Sequence, residues 1–236
     1  MAPSPSSQPT LSVVPLLTAE EFETACHAFL DRVHVAGDTK VGWSWIRLDQ
    51  RATGPILSIS REVGHVSTLH TSSDESMPDP EMNQVLQWGA SEEDPEALIR
   101  APGPSVSLQV VYDVLLSPTY QVPVLYFQLR QDSYPGPLGI DAVYQYLVPD
   151  QYRKELQSVG IMGGISFGYH PDSGTPAFFV HPCHTMDAMR HIAGQRRLTP
   201  EAYLIIWLGL VGNRLGLQLP KELFTKEGME IFQGTM

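Results

Sequence analysis

The stretch SVSLQVVYDVLLSPTYQVPVLYFQLR, residues 105–130, decides the fold class. Apolar side chains recur at every second position in its first half, and two interleaved apolar sets do so in its second half. This period of two is typical of β-strands, whose successive side chains point to opposite faces of a sheet. Pro118 breaks the pattern, so we predict a hairpin of strands 105–116 and 119–130. Pro123 has no N–H to donate, which favours an edge position or a bulge there.

Upstream of this hairpin, the sequence predicts one helix and two short strands. Thr18 and Glu21 form a capping-box pattern directly before an apolar stripe at helical spacing, and Gly37 ends the stripe. The stripe consists of Phe22, Ala25, Cys26, Phe29 and Val33. The two strands are expected around residues 43–48 and 56–61, separated by a turn signal.

Downstream of the hairpin, we expect a short helix over residues 138–147 and a short apolar strand that begins at Pro176. Two helices then close the chain, one around residues 186–192 and one that Thr199 caps and that runs to about Val211. The last helix is apolar almost all round, so it is expected to be buried. These elements predict an α+β fold: an antiparallel sheet with an N-terminal helix and C-terminal helices.

Length and composition indicate one globular domain. The chain has 236 residues, of which 42% are hydrophobic and 17% charged, so it can bury a core. We predict a disordered Ser- and Pro-rich tail over residues 1–15 and a single domain over residues 16–225. The domain carries an acidic, proline-rich insertion at about residues 71–104, and residues 226–236 form a flexible C-terminus.

Net charge and cysteine content disfavour several partner classes. The 15 Lys and Arg residues against 26 Asp and Glu residues give a net charge of −11, which disfavours nucleic acid and anionic membrane surfaces. The longest apolar run, residues 203–212, has about half of the ~20 residues that a membrane span needs. The first ten residues lack a signal-peptide pattern. We therefore expect a soluble cytoplasmic protein in which Cys26 and Cys183 both remain thiols.

The cluster His181, Cys183 and His184 follows the apolar strand that begins at Pro176. A strand that enters a proline-rigidified loop presents the next side chain at a fixed place, so Cys183 is our candidate nucleophile. Cys26 lies on the apolar face of the first helix, where a small core residue is expected.

A half-buried loop cysteine with incidental histidines stays open, and frequencies alone slightly favour it. Two chemical interpretations of this cluster are weaker. A closed zinc site needs four ligands, and only His170 lies nearby. A cysteine phosphatase needs a histidine directly before the cysteine and an arginine six residues after it, whereas Pro182 intervenes and Arg190 is seven residues on.

Acyl transfer fits the cluster better. A cysteine thiolate attacks a carbonyl or a thioester, and nearby donors stabilise the oxyanion. A free cysteine titrates at about pH 8.5, and the small thiolate fraction suffices when the incoming group is already a thioester. His181 is our candidate oxyanion donor, and Tyr112 or Tyr126 in the sheet is the alternative. A thiol hydrolase with a general-base histidine, and a non-catalytic interaction module, stay open as other functions.

The segment PAFFVHPCHTMDAM, residues 176–189, resembles the active-site segment of the autophagy E2-like conjugating enzymes, which place a His-Pro-Cys triplet after an apolar strand. Residues 119–130 and 203–220 resemble the central strand and the C-terminal helix of the autophagy-related protein ten branch of that family. The resemblance covers roughly residues 18–220. The triplet is also similar to that of the lipid-conjugating sister branch, which remains an alternative.

The resemblance implies an E2-like α+β fold and a transferase that needs no cofactor or metal. Such an enzyme receives the ubiquitin-like autophagy-related protein twelve from the activating enzyme, autophagy-related protein seven. It holds the modifier as a thioester on Cys183 and transfers it to a lysine of autophagy-related protein five. The resemblance also implies a cytoplasmic enzyme that is recruited to forming autophagosomes. Ubiquitin-conjugating enzymes use an asparagine a few residues before the cysteine to stabilise the oxyanion. The nearest upstream asparagine here is Asn83, so His181 is the candidate for that role.

Overall fold

The computed structural model describes residues 10–37, 42–67, 105–131, 136–159, 164–194 and 197–224. Within these residues the chain forms six strands and five α-helices. The strands are β1 (Trp45–Arg51), β2 (Gly54–Ser67), β3 (Ser105–Leu116), β4 (Pro123–Gln131), β5 (Ile165–Tyr169) and β6 (Pro176–Val180). The helices are α1 (Ala19–Ala36), α2 (Ile140–Tyr146), α3 (Asp150–Val159), α4 (Thr185–Ala193) and α5 (Pro200–Gly212).

The six strands form one antiparallel sheet in the order β1-β2-β3-β4-β6-β5. The predicted hairpin is confirmed as β3 and β4, and the α+β fold class with it. The expectation that Pro123 marks an edge or a bulge is wrong, because β4 lies inside the sheet and pairs with β3 without interruption. Pro123 is the first residue of β4 and faces Leu116, a position where a missing N–H costs little.

One face of the sheet carries the core. Alternate side chains of β3 and β4 are buried there together with the apolar faces of α1 and α5. They are Leu108, Val110, Tyr112, Val114, Leu125, Phe127 and Leu129. The prediction that the last helix is buried is confirmed, since α5 hides residues on every side. Arg32 of α1 also pairs with Glu201 of α5. We call the opposite side of the sheet the outer face.

The helix ends follow from local hydrogen bonds. Thr18 Oγ1 accepts the Glu21 N–H at 3.1 Å, and Glu21 Oε2 accepts the Thr18 N–H at 2.8 Å, which completes the predicted capping box. Gly37 ends α1 at φ 86°, a conformation that favours glycine. Thr199 caps α5 as predicted, through the Ala202 N–H.

Residues 10–15 of the predicted tail are among the described residues, and hydrogen bonds connect them to the C-terminal helical region. Leu11 N–H donates to the Leu198 carbonyl at 2.9 Å, and the Tyr203 hydroxyl donates to the Pro15 carbonyl at 2.8 Å. These bonds join the segment to α5 and to the loop before it. Residues 1–9, the acidic insertion at about 71–104 and the C-terminus from 226 to 236 lie outside the described residues. The domain limits 16–225 stay a prediction.

The structure contains two elements that the sequence analysis did not predict, α3 and β5. The remaining predicted elements are present, and their ends differ from the prediction by a few residues: β1, β2, α2, β6, α4 and α5. No helix in the described part of the chain is long and apolar enough to cross a membrane.

Replacing Thr18 with alanine tests the capping box. We expect the free energy of unfolding to fall by about 1 kcal/mol, because the Glu21 N–H loses its acceptor. Urea unfolding followed by circular dichroism measures the change. The matched control is Thr24→Ala on the exposed side of α1, where Thr24 Oγ1 donates to the Glu20 carbonyl and alanine is the better helix former. Equal losses in both variants would contradict the capping role.

Candidate active site

Cys183 lies where the chain leaves the sheet. Strand β6 ends at Val180, residues Pro182–His184 form one 3₁₀ turn, and α4 begins at Thr185. The Thr185 N–H donates to the Pro182 carbonyl and closes this turn. Pro182 is buried, whereas Cys183 is partly exposed and is a free thiol. The turn is therefore anchored in the protein by its proline and leaves the next side chain at the surface.

His181 fixes the backbone of Cys183. Its Nδ1 accepts the Cys183 N–H at 3.2 Å, so His181 caps the 3₁₀ turn. A ring nitrogen that accepts a hydrogen bond carries no proton, so Nε2 is the His181 nitrogen that can donate one. His181 thus binds the Cys183 main chain through Nδ1 and has Nε2 available as a donor.

Aromatic rings and two cavities surround His181. The Tyr120 ring meets the His181 ring edge-on, with 5.7 Å between the centroids, and the Phe179 ring lies at 6.4 Å. A cavity of about 400 Å³ on the outer face is bordered by Tyr120, Phe179, His181 and Pro182. A smaller cavity of about 100 Å³ borders His181 from the side of α4 and α5. The imidazole therefore stands between two mainly apolar spaces.

Tyr112 does not serve the site, which corrects one of our two tyrosine candidates. Its side chain is fully buried on the core face, and its hydroxyl donates to the Leu215 carbonyl at 2.7 Å. Burial raises the pKa of this phenol. Tyr126 occupies the outer face instead, where its ring lies 5.4 Å from Phe179. Burial raises the pKa of Tyr126 as well.

The other histidines stay apart from the Cys183 sulfur. Among the hydrogen bonds of the described residues, none joins a histidine nitrogen to Sγ of Cys183. His184 follows Cys183 directly but points to solvent. In the ranges that the structure describes, no three His, Cys, Asp or Glu side chains group closely enough to hold a metal ion. Asn83 lies outside those ranges.

Tyr120 and Phe179 are the neighbours that sequence reasoning did not single out. Phe179 lies two residues before His181 on β6, so strand alternation places both on the outer face. Tyr120 belongs to the β3–β4 turn, in which Gln121 has a φ of 53° and Leu17 N–H donates to the Gln121 carbonyl at 2.8 Å. Only the folded sheet brings this turn to the end of β6.

The chain is similar to several known proteins. Residues 21–222 match the family described as "Autophagocytosis associated protein, active-site domain". A ubiquitin-like-conjugating enzyme ATG10 of Gibberella zeae is 44% identical over 135 residues, which span 57% of this chain and about half, 56%, of that relative. One of the same name from Arabidopsis thaliana is 27% identical over 88% of this chain and 94% of its own. The solved structure titled "Crystal structure of Autophagic E2, Atg10" aligns at a TM-score of 0.47 and 13% identity, over 86% of this chain and 99% of that one.

The two thiols are expected to react very differently with an alkylating reagent. Cys26 is completely buried, and burial, with a smaller effect of Glu23, raises its pKa to about 12. Iodoacetamide at neutral pH should therefore add one group to the folded protein, on Cys183, and a second only after unfolding. Peptide mass spectrometry locates the groups, and the Cys183→Ser protein serves as the control. Rapid labelling of Cys26 in the folded chain would contradict this assignment.

Proposed function

We propose that this chain, which belongs to the family of the autophagocytosis-associated protein active-site domain, is an E2-like enzyme that carries a ubiquitin-like modifier as a thioester on Cys183. One observation carries the proposal: a free, partly exposed thiol stands on an anchored turn at the end of β6. The other cysteine of the chain is sealed in the core.

The proposed reaction has two steps. In the first, the Cys183 thiolate attacks the thioester that joins the C-terminal glycine of the modifier to the activating enzyme; a new carbon–sulfur bond forms and the activating enzyme leaves as a thiol. In the second, a deprotonated lysine amine attacks the new thioester, an isopeptide bond forms, and Cys183 is released as a thiol. Each step passes through a tetrahedral oxyanion.

We propose that His181 stabilises the oxyanion in both steps. Its Nδ1 is engaged by the Cys183 N–H, so its Nε2–H is left to donate to the oxyanion. A general-base role toward the thiol is less consistent with this geometry, because the ring accepts a bond from the main chain and none from Sγ. This favours a thioester carrier over the thiol hydrolase alternative.

The finer identities rest on the resemblance to the autophagy E2-like conjugating enzymes. We propose autophagy-related protein twelve as the modifier, autophagy-related protein seven as the activating enzyme and a lysine of autophagy-related protein five as the acceptor. The named relatives are ubiquitin-like-conjugating enzymes, which supports a modifier of this class. We also propose residues 16–225 as the conjugating domain, a cytoplasmic location and recruitment to forming autophagosomes.

Placement supplies most of the rate in such a reaction. Holding a lysine amine against a thioester carbonyl gives effective concentrations on the order of 10⁵ M or more. The enzyme then needs one reactive thiol, an oxyanion donor and surfaces that hold the two proteins. The described residues around Cys183 agree with this short list of requirements, because His181 is the titratable side chain that bonds to the turn.

The Cys183→Ser protein tests the thioester. The purified chain is mixed with activating enzyme, Mg-ATP and modifier and run on a non-reducing gel. We expect the wild type to give an adduct that thiol reductant removes, and Cys183→Ser to give a reductant-resistant ester or no adduct, because a weakly nucleophilic serine hydroxyl replaces the thiol. A reductant-sensitive adduct on Cys183→Ser would refute the assignment. Cys26→Ser is the matched control and should lower stability while the adduct still forms.

The His181→Ala protein tests the oxyanion donor. We expect transfer of the modifier to the acceptor lysine to slow by roughly 100-fold, as when one oxyanion donor is removed, while the thioester on Cys183 still accumulates. Single-turnover discharge on a gel measures the rate. His184→Ala is the neighbouring control and should discharge at the wild-type rate. If both variants discharge alike, His181 has no such role.

A further inference from the structure

Four aromatic rings form a row on the outer face that ends at the candidate site; we call it the outer aromatic row. His170 lies edge-on to Tyr126 with 5.2 Å between the centroids, and Tyr126 lies 5.4 Å from Phe179. Phe179 lies 6.4 Å from His181, whose Nδ1 holds the Cys183 N–H. Each ring is therefore supported by the next, from the far end of the β5–β6 hairpin to the cysteine turn.

His170 is fixed by the turn that it begins. Its side chain is almost completely buried although it is a polar residue next to a surface turn. Nδ1 accepts the N–H groups of Asp172 and Ser173, each at 3.3 Å. Its main chain exchanges hydrogen bonds of 2.8 Å with Thr175 and Gly174. The imidazole thus replaces a backbone carbonyl as the centre of the turn and cannot rotate without breaking it.

The other side of the His170 ring faces strand β3. Nε2 lies 3.5 Å from Oδ2 of Asp113, longer than a good hydrogen bond, and it has no hydrogen-bond partner among the described residues. Oδ1 of Asp113 accepts the Ser58 hydroxyl at 2.5 Å, which fixes the carboxylate. His170 is therefore held by its own turn and by the Tyr126 ring, with the Asp113 carboxylate beside it.

We propose that His170 is a positioning residue for Cys183, acting through Tyr126 and Phe179 on His181. The reaction it serves is the proposed thioester transfer, on which this inference rests. An imidazole suits the place because it packs on Tyr126 with its ring and accepts the turn amides with a nitrogen. Without it, Tyr126 and Phe179 lose their outer support and His181 keeps Tyr120 as its firm ring contact.

The first experiment compares His170→Ala with His170→Asn. We expect single-turnover discharge of His170→Ala to slow by about tenfold with an unchanged KM for the acceptor, less than the roughly 100-fold that a 1 Å misplacement of a reacting group costs. Asparagine keeps an oxygen that accepts the turn amides but lacks the ring. His170→Asn should therefore recover the stability of the turn while discharge remains slow. Full recovery of the rate by His170→Asn would overturn the proposal, since the turn alone would then suffice.

The second experiment places His170→Ala in the His181→Ala protein. Because His170 acts through His181, the double variant should discharge no more slowly than His181→Ala alone. Independent losses that multiply would overturn the proposal. The proposal is also overturned if the His170→Ala protein discharges at the wild-type rate.

The amide resonance of Cys183 separates this inference from the proposed function. Its ¹H–¹⁵N signal reports the bond to His181 in the free protein, so it should shift in both His170→Ala and His170→Asn. If wild-type protein forms no thioester on Cys183, the proposed function fails. An unchanged Cys183 amide signal in the His170 variants contradicts the positioning role of His170, whether or not the thioester forms. If the thioester forms but His170→Ala leaves the amide or the discharge rate unchanged, the row fails alone.

Discussion

The hairpin that carries the cysteine joins the rest of the sheet through two residues of β4. Tyr126 pairs with Phe179 and Phe127 pairs with Phe178. With so short a ladder, the rings hold the junction: Phe127 stacks on Phe178 at 5.8 Å on the core face, and Tyr126 meets Phe179 on the outer face. Aromatic pairs of this kind contribute about 0.5–1.5 kcal/mol each beyond their buried area. This junction sets where β6 ends, and so where Cys183 stands.

The sequence predicts the elements that bury a continuous apolar set and misses those that do not. The β3–β4 hairpin and helix α1 combine periodicity with local stop signals, and α5 is a continuous apolar run that begins at a capping threonine. Helix α3 is polar, and among its described side chains Leu156 is the buried one, so it offers few apolar residues from which a helix can be predicted. Strand β5 lies at the sheet edge with Phe167 and Tyr169 largely exposed. Gly168 between them leaves room for the Phe179 ring, because a Cβ atom there would lie 3.2 Å from it. The sequence alone does not predict this packing constraint.

The candidate site also has one part that the sequence predicts and one part that it does not. That Cys183 follows a strand and a proline is a local pattern, and the sequence predicts its place. Its surroundings depend on pairing between distant segments. Tyr112 and Tyr126 both read as sheet tyrosines, yet Tyr112 faces Phe127 across the ladder, so it shares the core face while Tyr126 takes the other. The His181 bond to the main chain depends on the local turn geometry, which residue types alone do not specify.

The contrast between the two cysteines explains why so little other chemistry is needed. Burial among the apolar side chains of α1 raises the pKa of Cys26 to about 12 and shuts out reagents, so that thiol is inert. Cys183 differs in place, not in type: the chain turns out of the sheet there, Pro182 anchors the turn and His181 holds the amide. In the proposed reaction the thioester arrives already activated, so a thiol held in position can accept it without a full triad. The fold's contribution is thus chiefly geometric, and it is made by the rings that hold β6 against β4.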